Sequence, residues 1–357
     1  MKIIRPVAIT DDNLVSSNLV EVPPDAYAAG TTYAAGNTAS TGTAGGVISV
    51  WESLADANTG NDPASSPDWW TPIGTTYAVY DSGTTYAEGD IVIVPAEHRA
   101  YESLDAGNAG NYPPEHTASD PPLWLDLGST NAWRAFDVKV GSQTRRPGSI
   151  EYTVAPGLVA GIALLNVEGV EIQIIMTDPV EGGIYNETIS LLSTQNVFDG
   201  YSYCFEPILM QRNSVRLDLY PYRNAEVTVK IIAEEGGEAA CGEIVIGNII
   251  DLGLTSYGAE IRIDDWSVKE RDQFGNFSIL ERDYSKGLDV QVQVDNGKYN
   301  HYIEALADLR ATPLVWVPTE AADYSSAMLT YGFYESFRPI VPHIAFTECN
   351  LRIEGLT

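Results

Sequence analysis

Cysteine, histidine and basic side chains are scarce in this 357-residue chain, and each shortage closes off a class of function. Three cysteines, Cys204, Cys241 and Cys349, lie far apart and are odd in number. That spacing argues against a disulfide framework and fits buried free thiols in strands, made in a reducing compartment. With four histidines, no CxxC and no HExxH, a structural zinc site has no ligand set to start from. Twenty Lys and Arg face 49 Asp and Glu, a net charge of −29. Such a surface repels phosphate backbones and anionic headgroups, so no nucleic-acid partner is expected. The excess is heavy at the front, where residues 1–130 hold 17 acidic and three basic side chains. Solubility of an abundant protein and electrostatic choice of partner both account for it.

Long apolar runs are missing as well. The opening Met1-Lys2-Ile3-Ile4-Arg5-Pro6 has no apolar core, and no later stretch approaches the roughly 18 apolar residues of a spanning helix, so neither a signal peptide nor membrane insertion is expected. There is no GxSxG, no P-loop and no Cys/His pairing of recognisable spacing. Glycoside hydrolysis needs two acids facing each other about 5 to 10 Å apart. Asp264 and Asp265 are adjacent, and on a strand they would point to opposite faces. No catalytic residue and no cofactor is therefore expected. Asp178 with Glu181, and Asn58 with Asn61 and Asp62, offer hard oxygen atoms of the kind calcium takes in loops. Acidic loops without an ion are commoner, and no metal ligand is nominated.

What the chain does contain is a duplication. Tyr27-Ala-Ala-Gly30-Thr-Thr-Tyr33-Ala-Ala-Gly36, Trp51-Glu-Ser-Leu54, Asn58-Thr-Gly60-Asn61 and Trp69-Trp70 make one copy. Tyr80-Asp-Ser-Gly83-Thr-Thr-Tyr86-Ala-Glu-Gly89, Tyr101-Glu-Ser-Leu104, Asn108-Ala-Gly110-Asn111 and Trp124 make the other. Matched positions are offset by 53 (27 to 80), 50 (51 to 101) and 54 (70 to 124), so the blocks keep their order with small gaps between them. A repeated unit of about 50 residues, rich in Gly and aromatics, reads as a small all-β module multiplied for avidity.

The rest of the chain divides by pattern. Residues 1–24 read as an extended N-terminal arm, 25–75 and 76–128 as the two repeats, 129–250 as a β-sandwich and 251–357 as a small α+β unit. Eight β-branched or aromatic runs fill 129–250: Ser149 to Val154, Val159 to Val167, Val170 to Met176, Thr188 to Leu192, Tyr201 to Leu209, Ser214 to Leu219, Ala225 to Ile232 and Gly242 to Ile249. Their number and spacing predict a jelly roll. In the last block Tyr284 to Val294 alternates as a strand, and Asn296 to Leu309 has helical period with Tyr299, Tyr302, Ile303, Leu306 and Leu309 on one face. Strands are expected again over Leu314 to Pro318, Ala327 to Tyr334 and Phe346 to Glu354. The fold class is mainly β.

Each repeat resembles the small chitin- and cellulose-binding modules of bacterial polysaccharide hydrolases. The likeness rests on the Tyr-x-x-Gly turn, the Trp51 or Tyr101 strand, the Asn-x-Gly-Asn loop before Pro63 or Pro113, and the closing Trp70 or Trp124. Sugars bind such modules by packing a CH-rich ring face on an aromatic while polar neighbours bond the hydroxyls. A module this small has little else to bury, so Trp70 and Trp124 are expected to be structural. Trp69, Tyr33 and Tyr86 are the better candidates for an exposed platform, while Trp51 and Tyr101 fit either role. In repeat 1 the Thr-, Gly- and Ala-rich Asn37 to Gly46 replaces the strand Asp90 to Pro95, which predicts a looser sheet and weaker binding there.

The whole chain is similar to a family of phage and prophage tail proteins. The carrying segments are Ile4-Arg5-Pro6 with Ser16-Ser17-Asn18, the junction Asn131-Ala-Trp133-Arg-Ala-Phe136-Asp137, Leu164-Leu-Asn-Val-Glu-Gly169 and Lys269-Glu270-x-Asp272-x-Phe274-Gly275-Asn276. Arg310-Ala-Thr-Pro313, Tyr331-Gly-Phe-Tyr334 and Ile353-Glu354-Gly355 continue the match. That likeness implies a non-enzymatic virion component near the tail tip or baseplate, assembled in the host cytoplasm as a homo-oligomer among other tail proteins. It also implies a galactose-binding-like jelly roll over 129–250 and host surface polysaccharide as the target of the repeats.

Overall fold

The computed structural model describes residues 1–193, 199–205, 209–271, 273–282, 284–320, 325–340 and 346–356. Strands account for 49% of it and helices for 8%, so the fold is mainly β.

Two facing layers form the sandwich. One is a five-stranded sheet in the order Gly182–Ser190, Glu171–Asp178, Glu226–Ile232, Ser149–Val154, Leu14–Ser17. The other begins with Ser214–Arg216, Gly161–Leu165 and Glu243–Asp251. Alternation in the sequence turns directly into burial: Ile172, Ile174 and Met176 are fully buried while Glu171, Gln173 and Ile175, which alternate with them, stay partly in water. They pack with Ile150, Ile162, Leu164 and Val229 into the largest apolar core of the molecule. Each such side chain contributes roughly 1.5–3 kcal/mol through apolar surface removed from water.

The run Tyr201 to Leu209 departs from its predicted strand. Gly200–Phe205 is a short helix, where the Tyr201 and Phe205 rings meet one turn apart at 4.8 Å, tilted by 37°, and residues 206–208 lie outside the described residues. Cys204 is consequently exposed, unlike Cys241 and Cys349, which are buried in strands as expected. Burial pushes the Cys349 thiol up to about 11.

Residues 1–24 are extended, yet they do not form a separate arm. The strand Lys2–Pro6 lies between Glu243–Asp251 of the sandwich and Leu314–Val317 of the C-terminal unit, antiparallel to both. Through it the second layer of the sandwich continues into Thr330–Ile340, Phe346–Gly355 and Tyr284–Asp295, one sheet of ten strands. Ile3 and Ile4 point to opposite faces of the strand and are both fully buried, Ile3 with Trp316 and Leu306, Ile4 with Val245 and Val315. Gly247 allows the approach, because a Cβ there would sit 1.8 Å from the Arg5 carbonyl oxygen.

The predicted helix is present. Asn296–Lys298 forms a 3-10 turn, capped by Asp295 accepting from the Gly297 amide at 2.8 Å, and the α-helix Tyr299–Asp308 follows. Tyr302 and Leu306 are its buried side chains, and Leu309, at its C-cap, is buried with them. The expected strand over Ala327 to Tyr334 starts later, at Thr330, behind a helical turn Ser325–Met328.

One buried acid sits in the ten-stranded sheet. Glu243 is 4% exposed, accepts from the Val138 amide at 3.0 Å and hydrogen-bonds the Tyr331 hydroxyl. Burial pushes its carboxyl up to about 9 and pushes the Tyr331 phenol up too, so Glu243 is protonated at neutral pH.

Candidate functional site

Both repeats fold on one plan. In repeat 1 the sheet order is Thr38–Thr41, Ile48–Ser53, Trp70–Thr76; in repeat 2 it is Ile91–Val94, Arg99–Ser103, Trp124–Ser129, with Ala78–Val79 added beside Ile91–Val94. Register slips at the same place in each, between Val50 and Trp51 and between Ala100 and Tyr101. The Asn-x-Gly-Asn loops carry structure rather than a binding face. Asn58 is buried and donates to Ser53 Oγ (3.0 Å) and the Trp69 carbonyl (3.3 Å), while Asn61 donates to Asn58 Oδ1 (2.8 Å) and the Trp70 indole donates to the Asn61 carbonyl (2.9 Å). Asn108, Ser103, Leu123, Asn111 and Trp124 repeat that network at 3.2, 3.2, 2.8 and 2.9 Å.

The nominated aromatics fall into two groups. Trp70 and Trp124 are buried at the centres of the module cores. Tyr33 and Tyr86, expected on an exposed platform, are buried beside them: Tyr33 meets the Trp70 ring edge-on at 4.9 Å, and Tyr86 meets Trp124 at 5.4 Å. Their hydroxyls accept from the backbone amides of Ala28 and Asp81, so each tyrosine closes its own turn. Tyr101 is also buried, against Tyr86, Val92 and Trp124. Only Trp51 and Trp69 of the five candidates are half-buried. The Trp51 indole donates to Thr41 Oγ1 at 2.8 Å, which anchors the half-buried ring at the edge of the repeat 1 core.

Repeat 1 does not lose the strand that its composition put in doubt. Thr38–Thr41 pairs with Ile48–Ser53 as Ile91–Val94 pairs with Arg99–Ser103. The Gly-rich residues after it form a longer turn that reaches the second repeat, where the Gly45 carbonyl accepts from the Ile91 amide at 2.9 Å. Gly45 has φ +84°, and a Cβ there would lie 2.3 Å from Asp90 Oδ1.

A second junction ties repeat 2 to the sandwich. Glu21 accepts from Thr130 Oγ1 (2.8 Å) and the Trp133 indole (3.1 Å), with His98 Nδ1 3.1 Å away. His98 stacks on Trp133 at 3.8 Å and pairs through Nε2 with Asp11 at 3.3 Å. The Glu21 carbonyl also accepts from Thr76 Oγ1, so this one residue holds the ends of both repeats. Trp133 then packs on Phe136 and Phe136 on Tyr152, which carries the junction motif into the sandwich core.

A cleft of about 410 Å³ opens where the two repeats meet the sandwich. Trp51 and Pro72 come from repeat 1, Tyr77, Ile93 and Ala100 from repeat 2, and Arg134 and Arg145 from the sandwich. Trp51 is the one nominated ring that lines it. The Asn131 side chain fixes the neighbouring hairpin by bonding both the amide (2.9 Å) and the carbonyl (2.8 Å) of Arg145. No signal in the sequence joined Trp51 to Arg134 or Arg145, because the strands that carry them meet only in the folded chain.

Among the described residues, no group of three or more His, Cys, Asp or Glu side chains could hold a metal ion, and no helix is long and apolar enough to cross a membrane. Asp178 spends its Oδ1 on the amides of Val180 and Glu181, capping a turn. Asp264 and Asp265 turn to separate cations, Arg262 and Lys269, each at 2.7 Å.

Apolar surface gathers elsewhere, at the far edge of the ten-stranded sheet. Glu260–Asp265 pairs on one side with Tyr284–Asp295, and beyond it Val268–Arg271 and Phe277–Leu280 form a two-stranded hairpin. Ile263, Trp266, Phe277, Ile279 and Leu280 are all more than half exposed, and none of them belongs to an apolar core.

No family model, no curated protein and no solved structure matches the chain.

Proposed function

We propose that this chain is a non-enzymatic structural component of a phage tail tip or baseplate, docked through its C-terminal hairpin and presenting its N-terminal repeats to host surface glycan. The carrying observation is the exposed apolar hairpin. A two-stranded hairpin without a core is marginal in water, and a cluster of exposed Trp, Phe, Ile and Leu is the surface expected where neighbouring subunits pack. Its hairpin turn includes Phe274-Gly275-Asn276, part of the segment on which the tail-protein resemblance rests; Asp272 of the same segment lies outside the described residues. Support for the glycan part comes from Trp51, a half-buried ring lining a cleft together with hydroxyl-bearing side chains, which suits a sugar. Burial of Tyr33, Tyr86 and Tyr101 favours the second reading, a purely architectural protein whose repeats contact neighbouring subunits.

Phe277→Ser with Ile279→Ser tests the docking. The variant chain should stay folded and drop out of particles assembled in an infected host, as read by immunoblotting of purified virions. Normal incorporation would overturn the docking role. A glycan array probed with the full chain separates the two readings of the repeats: binding that Trp51→Ala removes supports attachment, and silence on every glycan leaves the architectural one.

A further inference from the structure

The cleft between the repeats and the sandwich holds an imbalance that the rest of the chain does not explain. Acids outnumber bases 49 to 20, and among the described residues Arg99, Arg145, Arg212, Arg216, Arg262 and Arg352 are ion-paired. Arg145, on one wall, does so with Glu238 at 3.2 Å and Glu168 at 3.6 Å. Arg134, also on the wall and half-buried, has no ion-pair partner among the described residues. Its one hydrogen bond runs from Nε to the Ser129 carbonyl at 3.4 Å, which leaves the terminal nitrogens of the fork without a protein acceptor. A planar guanidinium with its fork open is built to take a carboxylate through two parallel N–H···O bonds.

The other side of the cleft is aromatic. The Trp51 indole is anchored by Thr41, so the ring is already oriented and loses little freedom on binding. Hydroxyls of Ser49, Thr75 and Tyr77 also line the cleft and supply donors and acceptors of the kind sugar hydroxyls need. A volume of about 410 Å³ lies within the usual span of small-ligand sites, about 300–1,000 Å³.

We infer that this cleft binds a carboxylate-bearing saccharide, a uronic-acid unit of a surface polysaccharide, with its ring on Trp51 and its carboxylate on Arg134. The inference rests on the reading of the repeats as glycan-binding and adds to it the class of sugar and the residue that selects it. Electrostatics sharpens the selection. On a chain with net charge −29, which repels an acidic polymer over most of its surface, Arg134 gives the cleft a cation with no carboxylate partner among the described residues.

The test is calorimetric titration of the full chain with oligogalacturonates and with neutral chito-oligosaccharides of the same length. Galacturonates should bind at least about tenfold more tightly, the difference that one desolvated charge-assisted contact supplies. Arg134→Met, which keeps the aliphatic stem, should erase that preference by bringing galacturonate affinity down to that of the neutral series, while Arg134→Lys should restore part of it. Trp51→Ala should weaken both ligands by about tenfold or more. Equal affinity for the two series, or a preference that survives Arg134→Met, overturns the acidic-sugar inference and leaves the glycan reading standing. Galacturonate binding unmoved by Trp51→Ala overturns this location for the sugar. Failure of both series to bind overturns the glycan reading together with the inference.

Discussion

Repeat 1 and repeat 2 share an interior and differ at the surface. Inside, the Trp70 and Trp124 clusters use the same partners at nearly the same distances, down to the indole bonds of 2.9 Å to Asn61 and Asn111. Outside, the position after the bulge holds Trp51 in one and Tyr101 in the other; Trp51 opens onto the cleft and Tyr101 is buried. The turn that follows the first sheet strand is also longer in repeat 1, and it is this turn that contacts repeat 2. Duplication preserved the interior of each small module. Divergence fell on the residues that decide how the modules pack together and what they expose.

The deepest cut into this comparison is at the shared centre. Trp70→Ala and Trp124→Ala should each cost about 3–5 kcal/mol and unfold only the module that carries the change, leaving the other protected. Hydrogen exchange resolved by peptide would show it; joint loss of protection in both modules would mean that they fold as one unit. Next comes the pair that separates the repeats. Tyr101→Ala should cost about 3 kcal/mol in chemical denaturation, and Trp51→Ala about 1 kcal/mol or less, since one ring is core and the other only half-covered. Equal losses would place Trp51 in the core and remove it from the cleft.

Acidity sharpens the contrast between the repeats and their scaffold. Glu243, in the ten-stranded sheet, has a folded-state value raised to about 9 from the ordinary 4.5. The folded protein therefore holds a proton that the unfolded chain releases, and the contribution to stability is full below pH 4.5 and lost as pH rises toward 9. Glu243→Gln keeps a hydrogen-bonding side chain and removes the titration. It should raise scaffold stability at pH 8 by on the order of 2 kcal/mol and flatten its decline between pH 5 and 9, while the unfolding of the repeats stays where it was. Calorimetric scans across that pH range would check it, and an unchanged slope would show that Glu243 is solvated enough to ionise. The smallest effect belongs to the contact between the repeats. Gly45→Ala places a Cβ against Asp90 at φ +84° and should cost about 1 kcal/mol, read as faster exchange at the Ile91 amide with both module cores intact.

Much of this fold was legible residue by residue. Alternation in Val170 to Met176 named the buried face correctly, because a strand in a sandwich shows one face to water and the pattern has a period of two. The helix over 296–309 was legible for the matching reason, a 3.6-residue period bounded by Asp295 and Pro313. Three features were not legible. The strand Lys2–Pro6 is too short and too plain to announce that it joins two units, and its register comes from partners some 245 and 313 residues further along the chain. The helix at Gly200–Phe205 follows from contacts between Tyr201 and Phe205 that β propensity overlooks. Tyr33 and Tyr86 looked available because turns usually are exposed, and Tyr101 on its strand fitted either role; each is buried in a module with too few residues to make a core without them.

By itself the sequence determined the repeats, the mainly β class, the position of the one substantial helix and the choice of Trp70 and Trp124 as module centres. Each of these follows from periodicity, duplication or size, which are local or self-referring properties of a chain. Tertiary structure alone decided that residues 2–6 bridge the sandwich and the C-terminal sheet, that three of five candidate rings are interior, and that Trp51 shares a cleft with Arg134. Those outcomes depend on which surfaces meet, and strand pairing over hundreds of residues is set by the sum of many weak contacts rather than by any motif.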